Sequence, residues 1–127
     1  MLSSPLACAF PAAARLRASA EFRRVHAEGR FVDLGPVVVR LAPRPSSPTG
    51  PLPARLGLSV SRRVGNAVVR NRVKRRLREI FRCRRTALAG LDLVVSARPA
   101  AASVSFEVLS HAFDELSRRL GDREPRP

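Results

Sequence analysis

Apolar residues along this chain fall in short separable runs, and their spacing predicts six elements. Ser19 suits a helix N-cap, Phe22 and Val25 form one apolar edge, and Gly29 suits the stop, so a short helix precedes residue 30. Val37-Val38-Val39-Arg40-Leu41 is β-branched and reads as a strand. Five prolines between Pro43 and Pro53, with Ser46, Ser47 and Gly50, make the next stretch a loop. Leu56-Gly57-Leu58-Ser59-Val60-Ser61 alternates large and small residues and predicts a second strand. Val69, Val73, Leu77 and Ile80 recur at i, i+4, i+8 and i+11, the stripe of a helix from about Asn66 to Arg82. Leu93-Val94-Val95-Ser96-Ala97 is a third strand, ended before Pro99. A last helix starts near Ser103 or Ser105, puts Phe106, Leu109, Phe113, Leu116 and Leu120 on one face, and stops at Gly121. The order helix, strand, strand, helix, strand, helix implies a small α/β sandwich without internal repeats.

Length agrees with one domain: 127 residues, 45% of them hydrophobic, can close a single core. Residues 15–120 carry the pattern. Residues 1–14 read as a flexible extension, since they lack the basic start of a secretion signal and Pro5 and Pro11 interrupt their apolar run. Residues 121–127 read as a flexible tail. No apolar run approaches the ~20 residues of a membrane span; an acidic membrane surface would suit the charge, but the chain lacks a basic amphipathic helix with Trp or a broad Phe/Leu face, so no membrane partner is expected. Cys8 and Cys83 have neither metal-ligand spacing nor a secreted disulfide framework, which points to a reducing compartment.

Charge changes the picture. There are 24 Lys and Arg against 10 Asp and Glu, a net charge of +14. Of the bases 23 are Arg, and codon bias in a GC-rich genome would favour Arg over Lys without explaining the excess of base over acid. From Arg62 to Arg85 there are eleven bases and one acid, Glu79, or +10 in 24 residues. On a helical wheel Asn71, Lys74, Arg75, Arg78 and Arg82 lie opposite the apolar stripe, while Arg70 and Arg76 border it. Each like-charge pair at i, i+4 costs about 0.2–0.5 kcal/mol in an isolated helix. A solvated face normally mixes signs; this one calls for a polyanion, and nucleic acid is the leading class.

The exact residues narrow the class. Ser61-Arg62-Arg63-Val64-Gly65-Asn66-Ala67-Val68-Val69-Arg70-Asn71-Arg72-Val73-Lys74-Arg75 resembles the signature of the bacterial ribonuclease P protein component, with its strand, Gly-Asn-Ala turn and Arg-Asn-Arg helix. Looser resemblance extends over roughly residues 15–120. It implies an α+β fold of about four strands and three helices, with an unusual left-handed strand–helix–strand crossover where the general rule for parallel strands is right-handed. It also implies a cytoplasmic ribonucleoprotein endonuclease in which a catalytic RNA, using Mg²⁺, removes the 5′ leader from precursor tRNA. The protein then has no catalytic or metal-ligating residue of its own and no obligatory protein partner.

Carried over by position, Arg70, Asn71, Arg72, Lys74 and Arg75 on the basic helix would contact the RNA subunit and nearby precursor, with Arg62, Arg63, Gly65 and Asn66 shaping the turn beside them; Arg78, on the same cationic face, is expected to bind RNA with them. Gly65 and Asn66 would leave backbone N–H groups free for a phosphate. The family's leader cleft would here be built from Phe22, His26, Arg40, Ser59 and Ser61. Arg40 stands where a Tyr is common and His26 where a second aromatic is common, so stacking falls to Phe22, an imidazole and a guanidinium.

Two other classes frame this reading. A protein-borne nuclease would need a catalytic cluster, and His26, His111 and the sparse acids offer none. A ribosomal-type RNA-binding protein or chaperone would share the sandwich and basic helix but add no cleavage. A helix-turn-helix is weaker, because strands flank the basic helix.

Overall fold

The computed structural model of the chain describes residues 14–16, 19–44 and 48–122. Its elements run α1 (Ser19–Glu28), β1 (Arg30–Asp33), β2 (Val37–Pro43), β3 (Arg55–Ser59), α2 (Ala67–Arg82), β4 (Leu91–Ala97) and α3 (Phe106–Asp122). The four strands form one mixed sheet in the order β1-β2-β4-β3. β1–β2 and β2–β4 are antiparallel, whereas β3–β4 are parallel, so α2 is the crossover between neighbouring parallel strands. This is the α+β architecture expected, with four strands and three helices.

Six of the seven elements follow the apolar pattern. The exception is β1, whose Arg-Phe-Val-Asp sequence turns one residue, Val32, inward. A turn joins it to β2: the Leu34 N–H donates to Val37 O at 3.0 Å and the Gly35 N–H to Asp33 Oδ1 at 2.9 Å. Three boundaries shift. β3 begins at Arg55 and ends at Ser59, so Ser61 lies beyond the strand, where its carbonyl accepts the Val64 N–H at 3.1 Å. β4 starts two residues earlier than expected and includes Asp92. α3 continues through Gly121 to Asp122, and Ser105 caps its start by accepting the Val108 N–H at 3.2 Å. Ser19 is the first residue of α1 rather than a cap outside it. Of the expected terminal segments, residues 1–13 and 123–127 lie outside the described residues, and Ala14 is buried.

Alternation along the strands divides the sheet into two faces. On one, Val37, Val39, Leu41, Leu56, Leu93 and Val95 pack against Val73, Leu77, Ile80 and Phe81 of α2 and Leu109, Phe113 and Leu116 of α3. The other face carries α1 over one end only: Val25, with half-buried Phe22, closes on Leu16, Ala42 and Val94. Phe81 extends the α2 stripe beyond the four residues expected, while Phe106 at the start of α3 is partly exposed rather than inward.

A buried carboxylate fixes α1 to the sheet. Asp92 is fully buried in β4 and paired with Arg24 of α1 and Arg55 of β3, the latter at 2.8 Å from both oxygens. Arg55 also reaches Glu21 at 3.0 Å. Two guanidiniums satisfy the lone pairs that burial would otherwise strand. The carboxylate beside Arg55 holds its guanidinium pKa above the ordinary value, more than offsetting its partial burial.

Candidate nucleic-acid interface

The strand-to-helix turn sets the entry of α2. Gly65 has φ of +156°, and a Cβ there would lie 2.8 Å from Val69 Cγ1, so a side chain is excluded by both conformation and space. Asn66 is the N-cap: its side-chain oxygen accepts the Val69 N–H at 3.0 Å. The Gly65 N–H donates to Arg62 O at 3.2 Å and the Arg63 N–H to Ser61 Oγ at 3.3 Å. The expectation that Gly65 offers a free N–H is therefore corrected: the turn uses it internally. Buried Val64 anchors the turn, and exposed Arg62 and Arg63 flank that anchor.

Along α2 the cations divide by whether an acid neutralises them. At the C-terminal end Arg82 pairs with Glu79 at 2.6 Å, holding that carboxyl below its usual range. Arg84 binds Asp114 and Ser110 of α3 at 2.9 Å and the Ile80 carbonyl at 2.8 Å. Further back, Arg70 Nε donates to Gly65 O at 3.2 Å and Arg76 reaches Val104 O, so both border the core as their spacing implied. Among the described residues, Arg72, Lys74, Arg75 and Arg78 have no carboxylate partner. Asn71 and Arg75 are exposed; Arg72, Lys74 and Arg78 are half-buried. Burial pushes the Arg78 pKa down from its ordinary value, and the charge of Arg15 adds to the push. Cations crowded together without a counter-charge are an anion site by simple electrostatics.

Lys74 and Arg78 also form the wall of a cleft of about 240 Å³ at the outer edge of β3. Leu16, Leu56, Leu58 and the Phe22 ring line it together with Arg15. The segment that carries Arg15 and Leu16 is held against β3 by a 2.9 Å bond from the Leu16 N–H to Leu56 O. Gly57 lets α1 come this near: a Cβ there would lie 2.6 Å from Phe22 Cζ. A lining that mixes apolar and cationic side chains fits an aromatic ring bearing a phosphate.

The other residues expected beside Phe22 are dispersed. Arg40 is on the open end of the α1 face, its guanidinium carbon 5.0 Å from the centroid of Phe31. Ser59 pairs with Ser96 on that same face and is exposed. His26 is exposed on α1, and Ser61 is spent in the turn. None of these four lines the cleft, whereas Lys74 and Arg78, expected only on the helix face, do. Sequence reasoning did not reach Phe31 or Arg15. Among the described residues, no three His, Cys, Asp or Glu side chains cluster as a metal site, and no helix is long and apolar enough to cross a membrane.

Fold and site together define a small α+β protein that presents an unneutralised basic helix beside a partly apolar cleft. Comparison with known proteins gives the family. The family described as Ribonuclease P matches residues 10–121. The chain is 43% identical over 111 residues to the ribonuclease P protein component of Acidothermus cellulolyticus, covering 87% of this chain and 90% of that relative. It is 44% identical over 118 residues to that of Salinispora tropica, covering 81% and 87%. Among solved structures, the RNase P protein of Thermotoga maritima superposes with a TM-score of 0.71 at 30% identity, covering 83% of this chain and 96% of that one. A Staphylococcus aureus RNase P protein mutant with defective mRNA degradation activity gives 0.73 at 29% identity, covering 86% and 89%. The chain belongs to the ribonuclease P protein component family.

Proposed function

We propose that this chain binds the RNA subunit of ribonuclease P through α2 and helps that RNA remove the 5′ leader from precursor tRNA in the cytoplasm. The observation that carries the reading is the division of charge on α2. Acids neutralise its C-terminal end, while Arg72, Lys74, Arg75 and Arg78 have none among the described residues. Arg70 and Asn71, with Arg62, Arg63, Gly65 and Asn66 in the preceding turn, complete the RNA-contacting surface. Unpaired leader nucleotides pass along the Phe22 side of the molecule, where a base stacks on the ring and its phosphate meets Lys74 or Arg78. His26, Arg40, Ser59 and Ser61 flank that path. The RNA subunit performs the hydrolysis with Mg²⁺, and the chain contributes binding and charge neutralisation rather than a catalytic side chain. No second protein is required.

The test is reconstitution. A bacterial ribonuclease P RNA at low Mg²⁺, given this chain, is expected to recover leader removal from precursor tRNA. Binding without stimulation would favour a ribosomal-type RNA-binding role, and cleavage by the chain alone would overturn the division of labour.

A further inference from the structure

Where β2 ends and β3 begins, two arginines stand outside both the cleft and the part of α2 that lacks acids. Arg44 follows β2 directly, and Arg85 lies just past the end of α2. Both are half-buried. Arg44 Nη1 donates to Pro53 O at 2.5 Å and Arg85 Nε to Ala54 O at 3.1 Å, so two consecutive residues ahead of β3 hold the two side chains in place. The backbone of this corner is tied as well: the Arg44 N–H donates to Gly90 O and the Gly90 N–H to Leu52 O, both at 2.7 Å. One carbonyl bond uses one of a guanidinium's five donors and neutralises no charge. Neither arginine has a carboxylate partner among the described residues. The acids at this end are committed elsewhere: Asp92 to Arg24 and Arg55, Glu21 to Arg55, and Glu28 to Arg24. Burial lowers both pKa values from the ordinary one; Arg55 adds to the push on Arg44 against Asp92 and Glu21, and Arg44 adds to the push on Arg85. Both guanidiniums stay charged.

We propose that Arg44 and Arg85 clasp a backbone phosphate of the ribonuclease P RNA subunit, at the far end of α2 from the Gly65 turn. The clasp rests on the proposed binding of that RNA and adds a second anchor to it. A phosphodiester offers anionic oxygens to the donors that the loop carbonyls leave over, and its charge relieves the repulsion between the two guanidiniums. Arg82 with Glu79 and Arg84 with Asp114 are neutral pairs lying between the clasp and the cations of α2, so the two anion sites are separate. The 16 residues of α2 set them about 24 Å apart at 1.5 Å per residue. One RNA following α2 along its length reaches both, which favours the RNA subunit over the precursor.

The test is a salt titration of the full chain binding to ribonuclease P RNA, with precursor binding by the assembled holoenzyme measured beside it. The double variant Arg44→Gln, Arg85→Gln is expected to flatten the slope of log K against log[salt] by about one and to weaken RNA binding roughly tenfold near 0.1 M salt. Arg44→Lys, Arg85→Lys keeps the charge and is expected to hold the parent's slope. The parent's slope and affinity in the Gln pair would overturn the clasp. So would equal flattening in the Gln and Lys pairs, which would trace the loss to the loop corner rather than to charge. A loss confined to precursor binding would put the arginines on the tRNA and overturn the assignment to the RNA subunit. Should the Gln pair fail to fold, exposed Cys83 beside the clasp decides the matter. An iron chelate attached there, in a chain carrying Cys8→Ser, is expected to cut the RNA subunit, and the absence of cuts would overturn the clasp. Failure of the parent chain to bind the RNA at all would instead refute the proposed function, so the two failures are distinct.

Discussion

At the scale of single residues, Gly57 controls how close α1 comes to the sheet. Its missing side chain lets Phe22 settle against β3, and an added Cβ would meet the ring at 2.6 Å and Leu16 Cβ at 3.2 Å. Gly57→Ala therefore overpacks this contact and is expected to destabilise the chain by about 1–3 kcal/mol. A denaturant titration would show it as a lower midpoint with the same slope; an unchanged midpoint would mean that the ring moves aside freely. Gly65 acts through conformation instead, setting the turn into α2. Asn66 and Gly65 were legible in the sequence because a cap and a glycine at a strand–helix junction have local causes. Phe31 under Arg40 was not: the two stand nine positions apart in sequence, and only the β1–β2 register makes them neighbours.

Among the elements, α2 was the most legible and β1 the least, for one reason. Sixteen residues with an apolar stripe carry a strong 3.6-residue signal, whereas a four-residue edge strand with one inward side chain carries almost none. The candidate site divided along the same line. Its cationic helix face is a property of one element, but its cleft is assembled from α1, β3, α2 and the segment at Arg15 and Leu16. Phe22 was accordingly found, and its partners Lys74 and Arg78 were assigned to another surface. What holds α1 in place is the buried Asp92 with Arg24 and Arg55. Asp92→Asn leaves two cations without their charge partner and is expected to cost about 2–4 kcal/mol, toward the lower end for a buried pair because both arginines keep some solvent. Hydrogen exchange would locate the loss: α1 amides are expected to lose protection while those of α2 keep theirs. Uniform loss across both helices would mean that the network stabilises the whole domain rather than docking α1.

For the molecule as a whole, the excess of base over acid is spatially organised. The acids present are placed to neutralise selected arginines: Glu79 for Arg82, Asp114 for Arg84, Asp33 for Arg98, Glu115 for Arg118 and Arg119. On α2, Arg72, Lys74, Arg75 and Arg78 receive none among the described residues, and the mutual repulsion there is relieved by an anion. The composition made a polyanionic partner legible, and the Arg70-Asn71-Arg72 run pointed to its kind, but which arginines stay unneutralised depends on contacts between elements.

A salt titration of binding to ribonuclease P RNA tests the role of α2 most directly. With about six phosphates neutralised, log K is expected to fall against log[salt] with a slope of roughly −4 to −5, and the double variant Arg72→Ala, Arg75→Ala to flatten it by about one to two. A double variant with the parent's slope and affinity would mean that the exposed face of α2 meets solvent rather than RNA.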